Sequence, residues 1–484
     1  MAEVRKINFI ITKLLLSVII LNILATIIGN NNNNAFMSTA VYAQQSRIGN
    51  DGRSSANNAN STIISGANNS MPYVGVDMQG LYISLEGLHA NSKSQPPDER
   101  SLSPTVHFPP NYYDNSFRLI SQGGMNHVRL VFYWEAYEKN PAAFIKELTS
   151  VAQTADKYGL KVMYDNHQFH TSSWLNNRRG TGFPPSLFEN NTILYPYGSG
   201  GGTGYPAAKA WWTNWWNRAI KDANGVDGWT LQANFLKKIV STVDDHPSTL
   251  GYEILNEPQV HSITQWSKIG MYNTFMVNQL RTLTHKTIAY SMNIPIDLKS
   301  PIGVTPQNLA KMAPTNNQNV VFKISLYAVP ADNNYQQKRL DIFIKASKLA
   351  GVPLYIGEWN NVRRVRAAPA TTVQNQDLTN QNFTTSPELS DINQEQANAI
   401  VQRLKEINAW GMAFWSWDYA YSRIPPYNLI NITSGSNNTG LKITTTKYFN
   451  ILKNAYATIH NDNDANLTNM SNDTKPHNMT NQLM

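Results

Sequence analysis

Short strand-like runs alternate with helical patterns along most of this 484-residue chain, and no other feature restricts the fold as much. The strand-like runs are mostly apolar and bounded by turn-forming residues, whereas the helical segments repeat apolar residues every three or four positions. Eight strands that alternate with helices predict an α/β protein, a (β/α)8 TIM barrel that forms a single catalytic domain. The predicted strands are Tyr73–Ser84, His127–Phe132, Lys161–Asp165, Leu250–Leu255, Thr287–Tyr290, Val320–Tyr327, Pro353–Gly357 and Gly411–Ser416.

An open doubly wound sheet is the main alternative fold. Such a sheet commonly joins its first strand to its first helix through a glycine-rich phosphate loop. No such loop follows the first predicted strand here, and the glycines of Gly198–Gly204 lie in a long loop without a following phosphate-binding lysine. The sequence therefore favours the barrel and predicts no nucleotide cofactor.

The two ends of the chain differ from the alternating region. Basic residues precede an apolar stretch within residues 1–43, which predicts either a signal peptide or a membrane anchor formed by residues 7–29. Residues 44–70 are rich in Asn and Ser and predict a flexible linker, and the Asn-rich residues 461–484 predict a disordered tail. The catalytic domain is thus expected over residues 71–460, in a protein that is extracellular or held at the cell surface.

Composition excludes several classes of function. The net charge is +8, but the charges are interspersed, so we expect no nucleic-acid partner. The chain has no cysteine, which excludes disulfides, thiolate metal sites and a cysteine nucleophile. The first predicted strand offers Asp77 but no His-X-His pattern, so we expect no metal. We expect no cofactor and a monomer.

Polar residues follow the predicted strands where a barrel carries its active site. Asn256-Glu257-Pro258 ends the fourth strand, and Pro258 should stop it because proline lacks a backbone N–H. Glu358 follows the seventh strand and supplies a second carboxylate. Strands three positions apart in a barrel can place two carboxylates on opposite sides of one substrate bond. The other polar or aromatic strand-end residues are Arg129, His167, Tyr327 and Trp415.

Together these residues resemble glycoside hydrolase family 5, the cellulase- and mannanase-like barrels of clan A. The resemblance extends from about Tyr73 to Tyr456, and the order of the motifs on the strands makes it specific. One position departs from the family pattern: Ser325 stands where a histidine usually lies two residues before the tyrosine of strand six, which is Tyr327 here. The departure affects one polar contact near Glu358.

The resemblance implies a role for each residue. Glu257 would be the acid/base and Glu358 the nucleophile of a retaining mechanism, whose two carboxyl groups lie roughly 5–5.5 Å apart. The remaining residues would bind substrate: Asn256 the sugar 2-hydroxyl, His167 another hydroxyl, and Trp415 the face of the sugar ring. Arg129 and Tyr327 would also keep Glu358 ionised. His170 competes with His167 for its role.

The resemblance implies cleavage of a β-linked polysaccharide or oligosaccharide, with β-1,4-glucan or β-mannan as the first expectation. A glycolipid-cleaving glycosidase and a catalytically inactive carbohydrate-binding barrel are the alternatives. The long segment Gln168–Trp229 contains Trp211, Trp212, Trp215 and Trp216. These tryptophans are expected either to wall the substrate cleft or to pack on the barrel, since their i, i+4 spacing also describes one helical stripe.

Overall fold

Eight parallel strands close into a barrel in chain order, and strand β8 pairs with β1 to complete it. The computed structural model describes residues 73–80, 111–177, 180–292, 303–327, 334–360, 393–418, 428–434 and 441–472, all within the compact unit Asn69–Met484. The predicted (β/α)8 barrel is confirmed. The strands are β1 (Tyr73–Gln79), β2 (His127–Phe132), β3 (Lys161–Asn166), β4 (Thr249–Glu253), β5 (Thr287–Ser291), β6 (Val320–Tyr327), β7 (Leu354–Asn360) and β8 (Gly411–Phe414).

Helices follow or separate the strands. They are α1 (Tyr112–Gln122), α2 (Trp134–Lys139), α3 (Pro141–Tyr158), α4 (Pro206–Trp216), α5 (Gly228–Val243), α6 (Gln265–Leu280), α7 (Pro306–Ala310), α8 (Asn334–Ala350), α9 (Gln394–Glu406) and α10 (Lys447–Asn472). A two-stranded antiparallel ladder, β9 (Ile430–Ser434) with β10 (Leu441–Thr445), precedes α10.

Local chemistry fixes several of these boundaries. The Asn140 side chain accepts from the backbone N–H of Ala143, and Pro141 occupies the first turn of α3. Gly159 ends the same helix at φ 68°, a left-handed conformation that glycine adopts without steric cost. Every residue of β2 and of β7 is buried, as expected where helices cover a parallel sheet.

The long segment between β3 and β4 is packed into the protein interior by its aromatic residues. All four tryptophans of α4 are at most 2% exposed. Trp215 stacks on Trp211 with ring centroids 5.1 Å apart, and Trp211 stacks on Phe188 at 5.2 Å. The Trp212 indole N–H donates to Thr171 Oγ1 at 2.9 Å. These tryptophans are therefore core residues, and of the two alternatives left open by the sequence, packing on the barrel is the one that the structure shows.

The predicted terminal segments are only partly covered by the structure. The signal peptide or anchor at residues 1–43 and the linker at 44–70 lie outside the described residues, and no described helix is long and apolar enough to cross a membrane. Helix α10 continues to Asn472 and so includes the first part of residues 461–484, for which the sequence predicts a disordered tail. That stretch contains no proline or glycine, and extending an existing helix costs much less than starting one.

Candidate active site

Glu358 lies near the carboxyl end of β7, and its side chain is held by three donors. The Tyr327 hydroxyl donates to Oε2 at 2.5 Å, whereas Arg129 and Lys323 donate to Oε1 at 3.0 and 2.9 Å. Burial alone would raise the pKa of this carboxyl. The positive charges of Lys323 and Arg129 outweigh burial, however, and hold the pKa of Glu358 well below its usual range. Glu358 is therefore ionised at neutral pH.

Glu257 lies just beyond the end of β4 and has the opposite electrostatic setting. Burial, reinforced by the negative charge of Glu358, raises the pKa of Glu257 to about 7. Its backbone has a φ of 46°, an uncommon value for a residue with a side chain. Among the described residues, none forms a hydrogen bond with its Oε1. This carboxyl group can therefore carry a proton near neutral pH and present one oxygen to a ligand.

Arg129 on β2 links the carboxylates beneath the barrel mouth. Its guanidinium is fully buried and contacts Asp77 on β1 at 2.7 Å, Asp165 on β3 at 2.9 Å and Glu253 on β4 at 2.8 Å, besides Glu358. Burial raises the pKa of Asp77 and of Glu253, because a carboxylate loses its hydration in the interior. Arg129 and Lys323 supply the compensating positive charge.

Asn256 and His167 lie beside this cluster and are both buried. Asn256 Oδ1 accepts from Arg129 at 3.0 Å, and its Nδ2 lies 3.1 Å from His167 Nε2. Asp165 holds the other ring nitrogen of His167, with its Oδ2 2.7 Å from Nδ1. A hydrogen-bonded chain thus runs from β3 to the residue that precedes Glu257.

Trp415 directly follows β8 and packs against the same histidine. Its ring stacks on His167 with centroids 5.7 Å apart and an interplanar angle of 20°. The Asn360 side chain donates to the Trp415 carbonyl at 2.6 Å. His170, by contrast, packs edge-on against the ring of Phe169 at 4.0 Å. His167 therefore joins the strand-end cluster through Asn256 and Trp415.

The seven residues predicted from the sequence thus lie in or beside this network, which also contains the carboxylates of Asp77, Asp165 and Glu253. Lys323 and Gln168 belong to it as well. Lys323 on β6 contacts Glu358, as described above. Gln168 is buried, and its amide N–H group donates to the carbonyls of Asn256 at 3.0 Å and of Glu257 at 2.7 Å. A strand-period argument could have found Lys323, because it lies on the same face of β6 as Ser325 and Tyr327. No comparable signal marks Gln168.

The two carboxyl groups suit proton transfer at a bound ligand. Within the described ranges, no group of three or more His, Asp or Glu side chains is arranged to bind a metal ion. A buried carboxylic acid that titrates near neutral pH beside an ionised carboxylate is instead the pairing that glycosidic cleavage requires.

Comparisons with known proteins agree with this chemistry. A family model described as cellulase (glycosyl hydrolase family 5) matches residues 91–420. An endoglycoceramidase of Hydra vulgaris is 28% identical over 172 residues, which cover 30% of this chain and 32% of that protein. The chain therefore matches about a third of the length of this relative.

Two solved structures share the fold. The crystal structure of endogalactoceramidase has a TM-score of 0.54 at 16% identity, and the match covers 80% of this chain and 81% of that chain. The lactosyl-enzyme intermediate of endo-glycoceramidase II from Rhodococcus sp. has a TM-score of 0.50 at 16% identity, and the match covers 79% of this chain and 78% of that chain. At these identities the likeness concerns the fold alone. The family match covers more than half of the chain and confirms the resemblance seen in the sequence: this protein belongs to glycosyl hydrolase family 5.

Proposed function

We propose that this glycoside hydrolase retains anomeric configuration, with Glu257 as acid/base and Glu358 as nucleophile. The observation that carries the proposal is the opposite electrostatic setting of two neighbouring carboxyl groups. Burial and the charge of Glu358 keep Glu257 protonated up to a pKa of about 7, whereas Lys323 and Arg129 keep Glu358 ionised. One group is therefore ready to donate a proton while the other is ready to attack.

The reaction would follow two displacements. A carboxylate oxygen of Glu358 attacks the anomeric carbon as the bond to the leaving oxygen breaks, and that oxygen takes the proton of Glu257. In the second step Glu257, now ionised, takes a proton from a water molecule whose oxygen attacks the anomeric carbon. The bond to Glu358 then breaks, and both carboxyl groups return to their first states. Asn256, His167 and Trp415 would hold the sugar.

For the substrate we propose the glycosidic bond of a glycolipid, in place of the polysaccharide expected first. The support comes from the similarity to the endoglycoceramidase named above and from two exposed aromatic residues in the long segment that follows His167. Phe169, two residues after His167, is 44% exposed, and Tyr205 in the same long segment is 50% exposed. Exposed aromatic side chains suit a ligand with an apolar portion. The apolar N-terminal segment supports action outside the cytoplasm.

A β-1,4-glucan or β-mannan is the second candidate substrate. The matching family model carries the description cellulase, which favours it. Both candidates use the same catalytic pair and differ in what lies beyond the cleaved bond: a lipid in one case and further sugars in the other. Substrate choice can therefore be tested without altering the mechanism.

The test uses the full-length chain in detergent on four substrates: lactosylceramide, ganglioside GM3, a soluble β-1,4-glucan and a β-mannan. Mass spectrometry would detect intact oligosaccharide released from lipid, and NMR of fresh product would report its anomer. We expect β-anomeric oligosaccharide from a glycolipid and none with Glu358→Gln. Release from the polymers alone would select the second candidate. An α-anomer would refute retention, and no release from any substrate would favour the catalytically inactive binding barrel.

A further inference from the structure

Lys323 is a fully buried cation whose three ammonium protons all have acceptors within the site. Nζ lies 2.9 Å from Glu358 Oε1 and 2.8 Å from Ser325 Oγ, and it also donates to Asn256 Oδ1. The side chain is 0% exposed. An ammonium group has three N–H donors and no acceptor, so these contacts use its full capacity. A buried charge with this set of partners is fixed in position.

The surrounding backbone accommodates the lysine stem. A Cβ atom at Gly357 would lie 2.6 Å from both Cγ and Cε of Lys323, so a side chain there would displace the lysine stem. The pairing of β6 with β7 shifts register at this point, between Ile324 and Ser325. Ser325 stands where the resemblance leads one to expect a histidine, and its hydroxyl is one of the acceptors of Nζ. The glycine at 357, the register shift and the small serine at 325 thus together make room for Lys323 beside Glu358.

The contacts divide the two oxygens of Glu358. A carboxylate oxygen offers about two lone-pair sites. Oε1 uses both, one for Arg129 and one for Lys323, whereas among the described residues Oε2 accepts from Tyr327 alone. Oε2 therefore keeps a lone pair for a reacting carbon, and Oε1 does not.

We propose that Lys323 is a positioning residue that saturates Oε1 of Glu358, keeps the carboxylate ionised and leaves Oε2 as the attacking oxygen. The inference rests on the proposed retaining mechanism. In the first step a lone pair of Oε2 forms the bond to the anomeric carbon, the bond to the leaving group breaks, and the leaving group departs with that electron pair. In the second step a water oxygen bonds to the anomeric carbon and gives a proton to Glu257, while the Oε2–carbon bond breaks and its electron pair returns to Glu358.

Several other titratable groups influence the ionisation of Glu358, so the variant used to test Lys323 must leave them unchanged. They come from every neighbouring strand or strand end and are Asp77, Arg129, His167, Glu257 and Tyr327. Lys323→Met removes one positive charge at nearly constant side-chain length and leaves all of them in place. Ser325→Ala is the matched control, because it removes one acceptor of Nζ and leaves the charge.

The experiment measures covalent trapping of the full-length chain between pH 3 and 8. The probes are 2-deoxy-2-fluoro-β-lactosyl fluoride and 2-deoxy-2-fluoro-β-cellobiosyl fluoride, with intact mass as the readout. Fluoride leaves with little acid assistance, so the rate reports Glu358 with little influence from Glu257. For the Met variant we expect the rate at pH 5, relative to the rate at pH 8, to fall about tenfold, because an acid limb moved up to about pH 6 would leave roughly one tenth of Glu358 ionised at pH 5. Ser325→Ala should keep the wild-type ratio.

Each outcome decides. A folded Met variant with the wild-type ratio overturns the proposal, as does Ser325→Ala with the ratio of the Met variant. If the Met variant does not fold, the wild-type protein and Lys323→Arg decide. The proposal is supported if the trapping rate of the wild type falls only well below pH 4.5 and the Arg variant keeps this acid limb. It is overturned if the wild-type rate already falls at about pH 4.5, the ordinary pKa of a glutamate, or if the Arg variant loses the low acid limb. Absence of trapping in the wild type by either probe, beside no hydrolysis, overturns the proposed function itself.

Discussion

The raised pKa of Glu257 makes a quantitative prediction for the alkaline side of the pH profile. With a pKa of about 7, roughly nine tenths of Glu257 carries a proton at pH 6, whereas at the ordinary value of 4.5 only about 3% would. For a glycoside with a poor leaving group, kcat/KM should fall about tenfold per pH unit above 7 and reach about 1% of its maximum at pH 9. The pH at which activity is lost reflects the pKa of Glu257 in the free enzyme, because kcat/KM reports the ionisation of groups in the enzyme without bound substrate.

The assay compares two substrates that share one sugar. One carries an alkyl aglycone and needs the proton of Glu257, whereas the other carries 2,4-dinitrophenolate, which leaves without it. We expect the alkaline limb near pH 7 for the first and its absence for the second. Glu257→Gln should lower kcat/KM about 10²- to 10⁴-fold for the alkyl glycoside and far less for the dinitrophenyl glycoside. The same alkaline limb on both substrates would refute the assignment of Glu257 as the acid.

Three further predictions concern residues around the site and in the core. Gln168→Leu removes two hydrogen bonds to the backbone carbonyls of Asn256 and Glu257. The kcat/KM for the alkyl glycoside should therefore fall about tenfold or more, with a smaller loss for the dinitrophenyl glycoside. Equal losses of kcat/KM on both substrates would contradict a role of Gln168 through Glu257. Burial raises the pKa of Asp418 from its ordinary value of 3.8 to about 6. The protonated carboxyl group therefore contributes its full stability to the fold below pH 3.8, and this contribution is lost as the pH rises through 6. Asp418→Asn should therefore raise Tm by a few degrees at pH 8 and leave it unchanged at pH 3, and a lower Tm at pH 8 would contradict this sign. Trp215→Ala should cost about 3–5 kcal/mol in urea unfolding, as for a large buried aromatic. A lost affinity for substrate at unchanged stability would instead assign Trp215 to the cleft.

The fold was predictable because its signal is repeated along the chain. Each strand is a short apolar run, each helix has its own period, and no single boundary decides the result; β2 and β6 have the predicted bounds. The predicted end of β4 was less accurate, since the strand ends at Glu253, whereas residues 81–84 of the range predicted for β1 lie outside the described residues. Pairing in the closed barrel, rather than local propensity, sets the end of β4.

The site was predictable to the extent that its residues follow strand ends. Arg129, Asn256 and Glu358 were found because the barrel places the ends of parallel strands at one mouth. Gln168 was not, because its role depends on a turn that brings its amide to two carbonyls. The destination of the α4 tryptophans was also undecided, since helical spacing shows which residues share a face and not what covers that face.

The buried charges beneath the barrel mouth tie the active site to the cooperativity of folding. The carboxylates and their two cations come from β1, β2, β3, β4, β6 and β7, so no pair of neighbouring strands contains the whole set. A barrel with one of these strands displaced would bury a charge without its partner, which typically costs about 3–5 kcal/mol. Partly closed forms are therefore disfavoured as a group, and a molecule able to cleave a glycosidic bond is one whose sheet has closed completely.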